Sequence, residues 1–251
     1  MTQEISLVKI ISGYVRYMKP SRIRWMAFYD FEEVLMRCYI NQENLKEKTK
    51  IWLRKISPYN IHRLELNLRK AALLVIDMQN FFLEPQSHSF ICAGVTVLPN
   101  VKKLVNFFRQ RKRPVIYTCH VHHPQGMDAG IMGWWWQDMC REGTEEAKIF
   151  PEIEPLPEEK LINKHRYSAF YNTDLETILR CLKIEDLVIS GIMTNMCCES
   201  TARDAYFRDY RIKFLADATG TVSEEMHLAS LLNLSYGFAD VCTTGEIIST
   251  K

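Results

Sequence analysis

The chain of 251 residues has no uninterrupted apolar run near the roughly 18–20 residues that span a bilayer, so no membrane-crossing helix is expected. Its first twenty residues, "MTQEISLVKIISGYVRYMKP", lack the layout of a secretory signal, because an acid and several polar residues interrupt the apolar stretch. Those two absences predict a cytoplasmic protein with no membrane partner. Cysteine occurs eight times, but with no CxxC pair and no framework spacing. Neither a disulfide scaffold nor a structural zinc site is therefore expected, and most of the thiols read as buried, reduced, small hydrophobes. A large excess of either sign of charge is missing as well: the net charge is +2, and no nucleic-acid-binding motif accompanies it, so no nucleic-acid partner is expected.

What charge there is lies unevenly. Residues 1–70 carry 14 Lys+Arg against 7 Asp+Glu, whereas residues 71–251 carry 18 against 23. The first segment reads as a basic helical extension that docks on its own acidic body or on a neighbouring subunit, where it could cover a site. Its stretches "EISLVKIISGYVRYM", "DFEEVLMRCYI" and "NLKEKTKIWLRKI" place apolar residues at helical spacing, with Pro20 and Pro58 as punctuation.

From Ala71 the rhythm changes. "AALLVID" (71–77) is a continuous apolar run, as for a strand buried on both faces. Helices are expected over 100–112, 173–183, about 194–209 and 223–237, and strands over 114–120, 160–164, 186–191, 211–217 and 239–244. Thr173 and Glu176 have the spacing of a capping box. This alternation predicts a three-layer α-β-α, doubly wound, mostly parallel sheet of about six strands over residues 71–251, with residues 1–70 as a helical extension.

Ligands of such sheets bind at the C-terminal strand ends. Asp77 closes the first strand, Thr118 to His120 the second and Lys164 the third; Gly191 and the turn to Cys197 follow the fourth. A thiol attacks as its thiolate, which a helix start and a nearby lysine stabilise. A carboxylate can take the thiol proton and return it to a leaving amine, and backbone amides at a helix start can hold an oxyanion. Asp77, Lys164 and Cys197 thus fit a nucleophilic amidase. Each also has a structural use: Asp77 as a cap of "MQNFF", Lys164 as a solvated charge, Cys197 as core. The adjacent Cys198 lies about 100° round the helix and reads as packing.

Three segments, "LLVIDMQNFF", "NKHRYSAFYNTDL" and "SGIMTNMCCESTARDAYFRDY", resemble the isochorismatase-like cysteine hydrolase superfamily, over about residues 71–245. The resemblance implies an Asp–Lys–Cys triad of Asp77, Lys164 and Cys197. It also implies a cis peptide between Ile192 and Met193 that turns the Met193 N–H to join that of Cys197 in an oxyanion hole. Nicotinamidases of the superfamily carry an Asp-x-His metal motif after the second strand. Here "TCHVHHPQGMDAG" has His120 in place of the acid. His120, His122 and His123 remain an alternative metal set, but no metal and no cofactor is expected. Isochorismatases generally lack the nucleophilic cysteine, so Cys197 favours acyl transfer. "HHPQGMDAGIMGWWW", "KHRYSAF" and "CCESTARDAYFRDYR" look most like the ureidoacrylate amidohydrolase type. The implied activity is hydrolysis of a small amide or ureido/carbamoyl compound through a thioester, releasing ammonia, by a homodimer or homotetramer. A nicotinamidase-type amidase, an isochorismatase-type vinyl-ether hydrolase and a non-catalytic binding protein are the alternatives. Gln79, Phe82, His120, Trp135, Tyr167, Phe170 and Thr194 are the candidate substrate contacts. The run Trp134–Trp136 offers either a pocket wall or a subunit contact, and Arg203 with Asp204 reads as a structural ion pair.

Overall fold

The computed structural model describes residues 38–250. "EISLVKIISGYVRYM" and nearly all of "DFEEVLMRCYI" lie outside the described residues. The first described helix, α1 (Leu45–Ile56), buries Leu45, Thr49, Trp52 and Ile56, one stripe at helical spacing. Ile40, Trp52 and Ile56 are fully buried in the same core as the sheet.

β1 (Ala71–Ile76) is buried at every position. It leads through the short α2 (Asn80–Leu83) into α3 (Cys92–Gln110) and then β2 (Val115–His120). α4 (Ile131–Trp136), the edge strand β3 (Lys160–Lys164) and α5 (Leu175–Cys181) follow. β4 (Asp186–Ile192) enters a π-turn over Thr194–Cys198 that continues as α6 (Glu199–Tyr206). β5 (Arg211–Gly220), α7 (Glu224–Gly237), β6 (Asp240–Cys242) and α8 (Thr244–Ile248) complete the body. The six strands form one sheet in the order β3-β2-β1-β4-β5-β6, and every pair is parallel. The order reverses between β1 and β4, so right-handed crossovers put the helices of the two halves on opposite faces. No described helix is long and apolar enough to cross a membrane.

Four local expectations change. α3 begins at Cys92 and runs through Pro99, eight residues earlier than the sequence suggests. Thr173 and Glu176 form no capping box. The Thr173 hydroxyl donates to Ala169 O and accepts from Leu175 N–H, while Glu176 is engaged by Arg180 and Arg208. The last apolar stretch divides into a three-residue strand and a helix that Thr243 and Glu246 cap reciprocally. Finally, Cys38 and Cys92 form a disulfide 54 residues apart in sequence, with Cα atoms 5.9 Å apart. The other six cysteines are thiols, five of them buried.

Candidate active site

The sheet register gathers the reactive residues. Ile76 lies opposite Thr118 on one side and Gly191 on the other, and His120 lies opposite Lys164. Four strand ends therefore meet at one edge of the sheet, at the point where the strand order reverses.

Asp77 follows β1 directly with φ 49°, a left-handed conformation that aspartate tolerates. Its N–H bonds Thr118 O at 3.2 Å and Thr118 Oγ1 at 3.1 Å, and the Thr118 hydroxyl donates to Asp77 Oδ1 at 2.6 Å. Lys164 ends the edge strand β3 on the face it shares with Ile162, and both are buried between exposed neighbours. Its ammonium sits 2.7 Å from Asp77 Oδ2 and donates to Cys197 Sγ at 3.2 Å and to Arg166 O at 3.1 Å. Cys197 is set by the π-turn. The peptide between Ile192 and Met193 is cis, and Met193 O accepts from Met196 N–H and Cys198 N–H, both at 3.1 Å. Gly191 at φ 115° allows the approach: a Cβ there would lie 2.1 Å from Ile76 O, so no other residue fits. Cys198 is fully buried in the core.

Three buried ionisable groups meet here. Burial pulls the Lys164 ammonium down, but Asp77 and the Cys197 sulfur outweigh it and hold its pKa above the ordinary value. The Cys197 thiol is raised, first by burial and then by Asp77; Lys164 opposes both and loses. The Cys197 sulfur thus lies beside a Lys–Asp ion pair, with the Asp77 carboxylate as the nearby base.

His120 lines this cluster. Its Nδ1 is 3.2 Å from Lys164 Nζ and 3.9 Å from Cys197 Sγ. Burial, then Lys164, holds its pKa well below the ordinary value, so the ring is neutral and Nδ1 accepts from the ammonium. The Nε2 hydrogen then points at His122 Nε2, 3.3 Å away, and His122 Nδ1 lies 3.2 Å from Asp128 Oδ1. His165 Nδ1 is also 3.2 Å from Asp128.

Two groupings have donors close enough for a cation: Asp77 with His120 and Cys197, and His122 with Asp128 and His165. The first already holds the Lys164 ammonium, a fixed positive charge where a metal would sit. The second holds two imidazoles and a carboxylate without an ammonium, and that donor set suits a divalent ion. His123 is in neither; its ring accepts from Gln125 N–H. The expected alternative of His120, His122 and His123 is therefore not assembled.

The other candidates divide. Tyr167 is 6.4 Å from His120 between ring centres, and its hydroxyl accepts from Trp136 Nε1 at 2.9 Å. Phe82 is partly buried against Phe81, and Trp135 is exposed with its two tryptophan neighbours. Gln79 is fully buried and occupied by backbone: its Oε1 accepts from His120 N–H at 2.7 Å and its amide donates to Ala147 O. Thr194 is occupied by His227 Nδ1 at 2.9 Å. Phe170 stacks on Tyr210 under Arg208. Arg203 and Asp204 do not pair with each other. Helical i,i+4 spacing gives Arg203 to Glu199 and Asp204 to Arg208. Thr118, Asp128 and His227 went without a role in the sequence; of these only Thr118 had a signal, its position at a strand end.

The family model described as Isochorismatase domain matches residues 71–246. Nicotinamidase 3 of Arabidopsis thaliana is 37% identical over 185 residues, covering 72% of this chain and 88% of that protein. Ureidoacrylate amidohydrolase RutB of Caulobacter segnis is 31% identical over 205 residues, covering 72% and 86%. Among solved structures, a cysteine hydrolase from Pseudomonas syringae pv. phaseolicola superposes with a TM-score of 0.72 at 29% identity, covering 74% of this chain and 94% of that one.

Proposed function

The chain belongs to the isochorismatase family, and from that premise we propose that it hydrolyses a small amide or ureido/carbamoyl compound through a Cys197 thioester, releasing ammonia. Asp77 takes the thiol proton and the sulfur attacks the carbonyl carbon. The Met193 and Cys197 amides hold the oxyanion. Lys164 orients Asp77 and balances the negative charge that moves from carboxylate to sulfur. The intermediate collapses as Asp77 returns its proton to the departing nitrogen. Asp77 then deprotonates a water that attacks the thioester, and the carboxylic or carbamic acid leaves as Cys197 recovers its proton.

The observation that carries this reading is the position of the Cys197 sulfur, 3.2 Å from an ammonium that is itself 2.7 Å from Asp77. A vinyl-ether hydrolase has no use for that nucleophile. The same reading carries a homodimer or homotetramer, for which the exposed indoles of Trp134, Trp135 and Trp136 offer apolar area.

A second reading is a nicotinamidase-type, metal-assisted amidase. It is favoured by the grouping of His122, Asp128 and His165 and by the likeness to Nicotinamidase 3. A divalent ion held by those three residues would supply a Lewis acid at the same sheet edge.

The test is ammonia release across a panel of small amides and ureido acids, nicotinamide included, with Cys197→Ala beside the wild type. Turnover of one compound that Cys197→Ala abolishes supports the proposal. Turnover that survives Cys197→Ala, or none across the panel, overturns it.

A further inference from the structure

The residues that support the nucleophile turn reach beyond the 71–246 match. Thr194 and Asn195 open the turn that presents Cys197, and both side chains are tied off. The Thr194 hydroxyl donates to His227 Nδ1, because His227 Nε2 faces the carbonyl of Ala216 at 3.2 Å and must carry the ring hydrogen. Asn195 Oδ1 accepts from the Thr221 hydroxyl at 2.6 Å.

Residues of the N-terminal segment close over both ties. The Trp52 indole covers the His227 ring, centre to centre 4.4 Å, and Tyr39 stands 6.0 Å away on the same imidazole. The Tyr39 hydroxyl accepts from Thr221 N–H at 3.3 Å. Trp52 is itself fixed by Nε1–H to Glu224 Oε1 at 2.8 Å, and Lys48 pairs with the same carboxylate. Trp52, His227 and Thr194 are all fully buried. Upstream, the Cys38–Cys92 disulfide and the bonds of Gln42 and Ile40 to Thr96 hold the segment to α3.

We propose that Tyr39 and Trp52, two residues of the N-terminal segment, are positioning residues for the nucleophile. Tyr39 and Trp52 hold Thr221 and His227, and these hold Asn195 and Thr194 at the start of the turn that aims Cys197. The inference rests on the reading of Cys197 as nucleophile given above. None of these residues touches substrate. Their effect is on where the sulfur and the oxyanion amides stand, and displacements well under 1 Å matter there.

The test uses the full-length chain with Tyr39→Phe and His227→Asn, and Lys50→Ala as an exposed control on α1. Two readouts have opposite signs. Iodoacetamide, followed by mass mapping of each cysteine peptide, reports opening of the turn and needs no substrate. Turnover of an amide found in the panel reports aim. We expect alkylation of Cys197 to rise about tenfold over that of Cys242, which is also buried but lies outside the turn. We expect kcat to fall about tenfold with KM held within twofold, and Lys50→Ala to match wild type. Equal acceleration at every buried thiol means global loosening and overturns the proposal, as does selective opening with unchanged kcat, or no change at all. Should no amide be turned over, the amidase reading fails, while the selectivity between Cys197 and Cys242 still decides whether the segment holds the turn.

Discussion

Two polar clusters lie side by side at one sheet edge, joined by His120, and they are built on opposite terms. The inner one, Asp77, Lys164 and Cys197, is buried and carries its own cation. The outer one, His122, Asp128 and His165, is partly exposed, and its two imidazoles surround one carboxylate. Both contain residue types that bind metals, yet their chemistry is decided by whether an ammonium already occupies the centre. A built-in cation makes the inner cluster a proton-transfer device in which a carboxylate and a thiol compete for one proton under a fixed positive charge. The outer cluster can accept an external cation or act as a hydrogen-bonded relay. The comparison also ranks what removal should do, because an unpaired charge costs most where there is no water.

The largest effect belongs to the nucleophile. Cys197→Ala should lower amide turnover on the order of 10⁴-fold or more, because the acyl-enzyme route is lost outright. Cys198→Ala should stay within about threefold of wild type, since that sulfur lies in the core. Comparable losses from the two substitutions, measured as initial rates of ammonia release, would remove the distinction between them.

Charge removal inside and outside sharpens the contrast. Lys164→Met leaves Asp77 buried without a counter-ion and should destabilise the fold by about 3–5 kcal/mol. Asp128→Asn removes a carboxylate that water still reaches, and should cost under about 1 kcal/mol. Urea midpoints of the two variants with equal m-values give the comparison directly. Similar shifts would mean that the inner cluster is wetter than its burial indicates.

The fold and the inner cluster were legible in the sequence for a common reason. Parallel strands buried on both faces announce themselves as apolar runs, and the residue ending each run must lie at the same sheet edge. Asp77 and Lys164 are brought together by that alone, whereas Cys197 lies five residues past the end of β4 and is set by the turn that follows. The outer cluster was legible only in part: His122 was a candidate, but its partner Asp128 sits six residues on in an irregular loop with no periodicity to place it. Gln79 and Thr194, read as substrate contacts, bond within the protein to His120 N–H and His227, 41 and 33 residues away. Thr173 has the spacing of a cap, but Ala169 O claims its hydroxyl. In each case a tertiary partner took a group that local pattern had assigned elsewhere.

A buried imidazole outside both clusters tests the same burial rule at smaller scale. Burial holds His227 down to about 4 from its ordinary 6.5. A lowered histidine binds fewer protons folded than unfolded, so its contribution is intact at neutral pH. It is lost as pH falls below about 6.5, the loss being complete near 4. The linked loss of stability over that window is on the order of 3 kcal/mol. His120, lowered in the same direction, adds to the slope. Stability measured by urea unfolding at pH 7, 5.5 and 4.5 should fall accordingly, and His227→Asn should flatten the fall. An unchanged slope in that variant would assign acid sensitivity to other groups.

The smallest expected effect is also the one that separates the two functional readings. If the inner cluster performs the reaction unaided, prolonged dialysis against a chelator should leave kcat within about twofold of the untreated enzyme. His122→Ala should then act mainly through the hydrogen bond that fixes the His120 ring, lowering turnover severalfold with or without added zinc or manganese. If the outer cluster holds a working ion, the same dialysis should abolish turnover and restored metal should return it. His122→Ala should then resemble the chelated enzyme and respond to no metal. The argument for the first outcome is electrostatic. His120 stands between the two clusters and is neutral because it is buried and because the Lys164 ammonium already faces it. A divalent ion beyond His122 would add positive charge on the far side of an imidazole that has only one hydrogen to place. The arrangement of hydrogens that satisfies His120 and His122 at once, with Nε2–H toward His122 and Nδ1–H toward Asp128, needs no ion to complete it.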